Sequence, residues 1–310
     1  MRIFLNGIGQ FGVDTFEKLR EAGHEIVAVA APPKSLSGRP DRLFAAAEAA
    51  GIPALDTARL NEPDVTEALK AANPELGVMA FVQEFISLDI LNLPAQGTIQ
   101  YHPSLLPKHR GRSSINWAII NGEPFTGISI FWPDEGMDTG PVLLQRQAEI
   151  GPDATAGSLY YDALYPMGIQ MLVDSVNMVA AGNAPKLVQD EAEATYEKPA
   201  EGRLARIDWR KPTAEVYNLI RGCDPSPGAW TRFGDKTLRV TDARPLPGHD
   251  AAPGVLASVD ENGAVIGTAD GAILVRKLQA DGPAGPAHEV IAAQGIEPGT
   301  RFLNPSSATP

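Results

Sequence analysis

His102 and Asp138 are the two side chains whose types and spacing point most directly to chemistry. His102 opens the segment His102-Pro103-Ser104-Leu105-Leu106-Pro107-Lys108-His109-Arg110-Gly111, a polar loop bracketed by prolines that follows a strand-like run over 97–101. Open α/β sheets hold ligands in loops at the C-terminal ends of their buried strands. Asp138 stands 36 positions further on, within Asp134-Glu135-Gly136-Met137-Asp138-Thr139-Gly140. An Asp–His pair is a general acid–base device in which the carboxylate orients the imidazole and holds its charged form. Read singly, His102 is equally a core histidine and Asp138 a turn residue before Thr-Gly.

Two further motifs carry possible chemistry. Gly7-x-Gly9-x-x-Gly12 lies between a strand and a helix, as a dinucleotide fingerprint does. That fingerprint also needs an acidic residue near the end of the second strand, where this chain has Ala30-Ala31-Pro32-Pro33 and then Lys34. A structural turn is therefore the better reading, and no nicotinamide cofactor is expected. Lys108, His109, Arg110 and Arg112 form a basic cluster that could hold a phosphate or simply be a solvated loop. Cys223 stands alone, which excludes an internal disulfide and a multi-cysteine metal site; a buried structural thiol is expected.

The elements that must position these residues alternate between strand and helix. Strands are expected over 2–6, 26–31, 76–81 and 97–101, with helices over 13–21, 41–50, 65–72 and 113–120. This is the pattern of a mostly parallel sheet with crossover helices. A strand pair over 126–132 and 142–147 is joined by the loop holding Asp138, and a long helix over 156–181 is expected to be interrupted at Pro166. After about residue 200 the pattern turns to short β-like runs near 238, 255, 264 and 273, separated by Pro, Gly, Asp and Asn. The chain thus reads as an α/β domain over 1–200 and a smaller β-rich domain over 201–310, ending in a disordered tail over 304–310.

Composition limits the partners. The formal net charge is −12, and residues 201–310 hold 12 Lys or Arg against 13 Asp or Glu, so the excess acidity lies in the first 200. A chain so charged has no general attraction for phosphate backbones, and no nucleic acid partner is expected. No apolar run reaches the length of a membrane span and no signal peptide is visible, so a cytoplasmic protein without a membrane partner is expected.

The stretch over 100–145 resembles the catalytic core of the folate-dependent formyltransferases. It carries His102-Pro-Ser-Leu-Leu-Pro, Arg110-Gly111, Ile115-Asn116-Trp117, Gly122, Thr126-Gly127 and Asp138-Thr139-Gly140. Within that family it is most similar to the hydrolase domain at the N-terminus of 10-formyltetrahydrofolate dehydrogenase. Phe131-Trp132, Ala194-Thr195-Tyr196, Ile207-Asp208-Trp209, the run over 218–222 and Pro227-Gly228-Ala229-Trp230 extend the likeness over nearly the whole chain. The resemblance implies a Rossmann-like domain followed by a barrel-like one. It assigns catalysis to His102, Asp138 and Gln100, the last standing where typical transferases have Asn. It implies a folate pocket from Phe81, Gln83, Glu84 and Ile86, faced by Asp134, Glu135 and Gly136. It also implies tetrahydrofolate chemistry with neither metal nor NAD.

The activity that the resemblance implies is hydrolysis of 10-formyltetrahydrofolate to tetrahydrofolate and formate. Transfer of the formyl group to an amine, on an amino sugar nucleotide or a methionyl-tRNA, is the alternative, and a folate-binding module with little turnover is a third. The neutral second domain speaks against the tRNA acceptor. The oligomeric state, and whether the chain is a domain of a longer enzyme, stay open at this point.

Overall fold

The computed structural model describes residues 1–35, 37–82 and 84–305. Its first half runs β1 (Arg2–Gly7), α1 (Gly9–Glu21), β2 (Glu25–Ala31), α2 (Arg42–Ala49), β3 (Ala54–Asp56), α3 (Pro63–Ala72), β4 (Leu76–Ala80), α4 (Leu88–Leu91) and β5 (Thr98–His102). There follow α5 (Ser114–Ile120), β6 (Phe125–Phe131), β7 (Val142–Glu149), α6 (Ala156–Leu159) and α7 (Tyr165–Ala180). The seven strands form one sheet in the order β3-β2-β1-β4-β5-β6-β7. β1 to β5 pair in parallel and β6 runs antiparallel to β5. The α/β class expected from strand–helix alternation is the class observed.

Residues 3–5, 28–31, 76 and 78–80 are fully buried, which is why β1, β2 and β4 read as unbroken apolar runs. One face of the sheet packs Phe4, Ala28, Ala30 and Met79 against Leu60, Val65 and Leu69 of the α3 region. On the other face Tyr101 of β5 packs on Phe11 of α1, ring centroids 4.9 Å apart. The helix expected over 156–181 is divided: a π turn over Tyr160–Leu164 separates α6 from α7. Pro166 stands in the first turn of α7, where a missing amide costs no helical hydrogen bond.

Two compact units emerge. The first comprises Met1–Arg112, Thr126–Ala148 and Tyr161–Tyr196. The second takes Ser113–Phe125, Glu149–Tyr160 and the described residues from Glu197 onward. The second unit adds α8 (Thr213–Gly222), β8 (Ala229–Phe233), β9 (Lys236–Pro247), β10 (Leu256–Asp260), β11 (Gly263–Gly267), β12 (Gly271–Gln279), β13 (Gly285–Pro286) and α9 (Ala287–Ala293). Its sheet is antiparallel throughout, in the order β10-β11-β12-β9-β8 with β13 beside β12. Ile207, Trp209, Val240, Ile273 and Phe302 lie in its core. Within this unit α5 docks on α8: Asn116 Nδ2 donates to Gly222 O at 2.6 Å, and a side chain at Gly222 would strike Ile120.

The glycine motif after β1 is spent on packing. A Cβ at Gly7 would lie 2.6 Å from the carbonyl oxygen of Ala80, and one at Gly12 would lie 2.7 Å from Leu43 of α2. Gly9 opens α1 with φ +58°, a left-handed conformation that glycine adopts without steric cost. Its amide donates to Asp41 Oδ2 at 2.9 Å, while Asp41 Oδ1 accepts from Leu43 N at 2.8 Å and caps α2. The buried Asp41 carboxylate therefore occupies the N-terminus of α1, where a dinucleotide fold places a pyrophosphate.

Candidate active site

β5 carries the centre of the site. Side chains alternate along a strand, so Gln100 and His102 share one face of the sheet and Tyr101 takes the other. Gln100 lies between Met79 of β4 and Phe131 of β6, and His102 lies opposite Ser129 of β6. The strand extends one residue past its expected end, so His102 is its last residue rather than the first of the loop.

Ser129 fastens the loop that follows. Its hydroxyl donates to Ser104 O at 2.7 Å and accepts from Leu106 N at 3.0 Å and from Gln145 Nε2 at 2.9 Å. Ser104 Oγ then donates to Lys108 O at 2.6 Å, folding the loop back on itself. The fold-back brings the carbonyl of His109 to His102 Nε2 at 2.8 Å. A carbonyl only accepts, so the hydrogen-bond pattern places a proton on Nε2.

The other ring nitrogen faces Asp138. His102 Nδ1 and Asp138 Oδ2 are 3.6 Å apart, with side chains 7% and 11% exposed. That is ion-pair range but too long for a direct hydrogen bond. Asp138 lies in the β6–β7 loop with φ 56°, in the left-handed region that aspartate tolerates better than most residues. Gly111 N donates to Asp138 Oδ2 at 2.7 Å, so the loop after His102 holds the carboxylate as well as the imidazole. The Gln100 side chain makes no hydrogen bond to any described residue. The arrangement places a nearly buried His–Asp pair and the Gln100 amide on one face at the C-terminal end of a central strand.

The remaining candidates are arranged around this centre. Phe81 directly follows β4, the parallel neighbour of β5, with φ 64° and its ring 6.1 Å from that of Tyr101. Ile86 packs against the core cluster beneath α3, whereas Glu84 is exposed. Gln83 lies outside the described residues. Asp134 Oδ1 accepts from Gly136 N at 3.0 Å and from Thr139 Oγ1, which shapes the loop holding Asp138; Glu135 and Gly136 are exposed on it. Among the described residues no group of three or more His, Cys, Asp or Glu gathers as metal ligands do.

The basic cluster is not a phosphate cradle as a whole. Arg110 is buried and its guanidinium is spent on Gln189 Oε1 at 2.9 Å, Glu191 Oε1 at 2.6 Å and the Tyr196 hydroxyl. Glu191 holds that guanidinium charged and is itself held below the usual carboxylate range by it. Sequence reasoning missed Gln189 altogether. No residue spacing announces a side chain that reaches back across about fifty positions, although Thr195, in the Ala194-Thr195-Tyr196 segment that resembles the formyltransferases, lies on the same strap.

Known proteins share this organisation. Residues 1–176 match the family model described as formyl transferase, and residues 201–294 match that of the formyl transferase C-terminal domain. Human cytosolic 10-formyltetrahydrofolate dehydrogenase is 40% identical over 298 residues, covering 90% of this chain and 32% of that protein. The chain thus spans about a third of the length of that relative. A methionyl-tRNA formyltransferase of Symbiobacterium thermophilum is 36% identical, covering 99% of this chain and 97% of the other. HypX from Aquifex aeolicus, solved in complex with tetrahydrofolic acid, has the same fold, with TM-score 0.68, 21% identity and coverage of 96% of this chain and 48% of that one. From the match of both family models and the two curated relatives, the chain belongs to the formyl transferase family.

Proposed function

We propose that the chain removes the formyl group of 10-formyltetrahydrofolate, with water as acceptor. The observation that carries this reading is the His102–Asp138 pair at the end of β5, with the Gln100 amide, unengaged among the described residues, on the same face. Water adds to the formyl carbon, the bond from that carbon to N10 breaks, N10 takes a proton, and tetrahydrofolate and formate leave. Addition builds an oxyanion, for which the His102 imidazolium and the Gln100 amide are the donors in this reading. Asp138 takes the proton from the water, which in this reading stands to one side of the 3.6 Å line between Oδ2 and Nδ1, within reach of both groups.

Phe81, Gln83, Glu84, Ile86 and the loop with Asp134, Glu135 and Gly136 form the folate pocket in this reading. The chemistry belongs to residues 1–200, with 201–310 as the accompanying β-rich domain, and the protein works in the cytoplasm without a nicotinamide cofactor or a metal. No described helix is long and apolar enough to cross a membrane. The likeness to 10-formyltetrahydrofolate dehydrogenase supports this donor.

Transfer to an amine is the second reading, favoured by a match that runs the full length of a methionyl-tRNA formyltransferase. Incubating the chain with 10-formyltetrahydrofolate, with and without amines, separates the two. Formate release without an amine supports hydrolysis; a formylated amine with no free formate establishes transfer. His102→Ala and Asp138→Ala are each expected to lower turnover by at least ~10²–10³-fold while leaving the far-ultraviolet circular dichroism spectrum unchanged. Parent-like turnover in either variant removes the assignment.

A further inference from the structure

Gln189 is buried, 8% exposed, on the strap that follows α7. Its Nε2 donates to two backbone carbonyls of the β6–β7 loop, Asp138 O at 2.8 Å and Gly140 O at 2.6 Å. Its Oε1 accepts from Arg110 Nε at 3.1 Å and Nη2 at 2.9 Å. All four hydrogen-bonding capacities of the amide are used. One side chain therefore joins the loop that carries Asp138 to the loop that reaches back over His102. Arg110 lies between His109, whose carbonyl binds the imidazole, and Gly111, whose amide binds the carboxylate. The same strap supplies Thr195, whose Oγ1 accepts from His109 N at 2.8 Å and whose carbonyl accepts from Arg110 N at 3.0 Å.

We propose that Gln189 is a positioning residue that sets where the Asp138 carboxylate stands relative to His102. The inference rests on the reading of these two side chains as the reacting pair. Asp138 holds a left-handed backbone, a conformation kept by what surrounds it, and the Gln189 amide is the side-chain donor bound to its carbonyl. Arg110 keeps Glu191 and Tyr196 without Gln189, so the strap has its own attachment and loss of the amide bears chiefly on the Asp138 loop.

Gln189→Met tests this, because methionine keeps the length of the side chain and adds no charge. The expected result is a kcat about ten- to a hundredfold lower, as small displacements of reacting groups cause, with KM within about twofold. An unchanged kcat, or a rise confined to KM, overturns the proposal. Where Gln189→Met does not fold, Gln189→Glu serves with the same criteria, since it keeps an oxygen for Arg110 and loses the donor.

A second measurement does not depend on turnover. The imidazole ¹⁵N signals of His102 should move in Gln189→Met towards those of Asp138→Asn; signals identical to the parent's overturn the proposal. If the parent protein fails to consume 10-formyltetrahydrofolate with any acceptor, the functional reading falls, and the ¹⁵N comparison still decides the role of Gln189.

Discussion

One nitrogen of the His102 ring is fixed by a backbone carbonyl and the other looks across a short gap at a carboxylate. The loop over 103–111 supplies the carbonyl and, through the Gly111 amide, holds the carboxylate, which explains why a histidine so nearly buried can keep a defined orientation. Cys223 is the opposite case, a buried side chain outside that machinery. Burial pushes its thiol up to about 12, so the native protein keeps it protonated across the physiological range. Maleimide labelling of the folded protein is therefore expected to be negligible at pH 7 and to stay so at pH 9, where an exposed thiol would react faster. Labelling of one thiol per chain should appear only in denaturant; rapid native labelling would contradict the burial described.

At the scale of elements, the passage from β1 into α1 depends on a close approach at Gly7 and a left-handed turn at Gly9. Gly7→Ala forces a methyl against a backbone carbonyl that cannot turn away, and is expected to cost about 1–3 kcal/mol, read as a lower Tm. Gly9→Ala meets no atom within 4 Å and carries only the cost of a left-handed alanine, about 1–2 kcal/mol. A similar loss for Gly9→Ala and none for Gly7→Ala would reverse this account. The parallel core was legible in the sequence because strands buried on both faces are apolar throughout, as in 28–31. The His102 and Asp138 loops were legible because proline and glycine mark them. α8 was not, since a ten-residue amphipathic segment among short β runs carries little periodic signal. Nor was the grouping of α5 and α6 with the later residues: Asn116 finds Gly222 only after the chain has folded, and neither residue type advertises the other. Gln189 belongs to the same class of contact.

The whole molecule is acidic, and its last 110 residues, at 12 basic against 13 acidic, have no cationic surplus to offer a polyanion. An excess of transfer RNA is therefore expected to leave the rate of formate release within about twofold; strong inhibition, or formylation of a charged tRNA, would favour the transferase reading. Charge also acts inside the fold. Asp41 gives one carboxylate oxygen to the start of α1 and the other to the start of α2, so a single internal anion neutralises the positive ends of both helices. A sheet with the strand order of many nucleotide-binding folds thus carries its own counter-charge at the customary phosphate berth. A phosphate brought to the start of α1 would meet the Asp41 carboxylate already bound to the Gly9 amide.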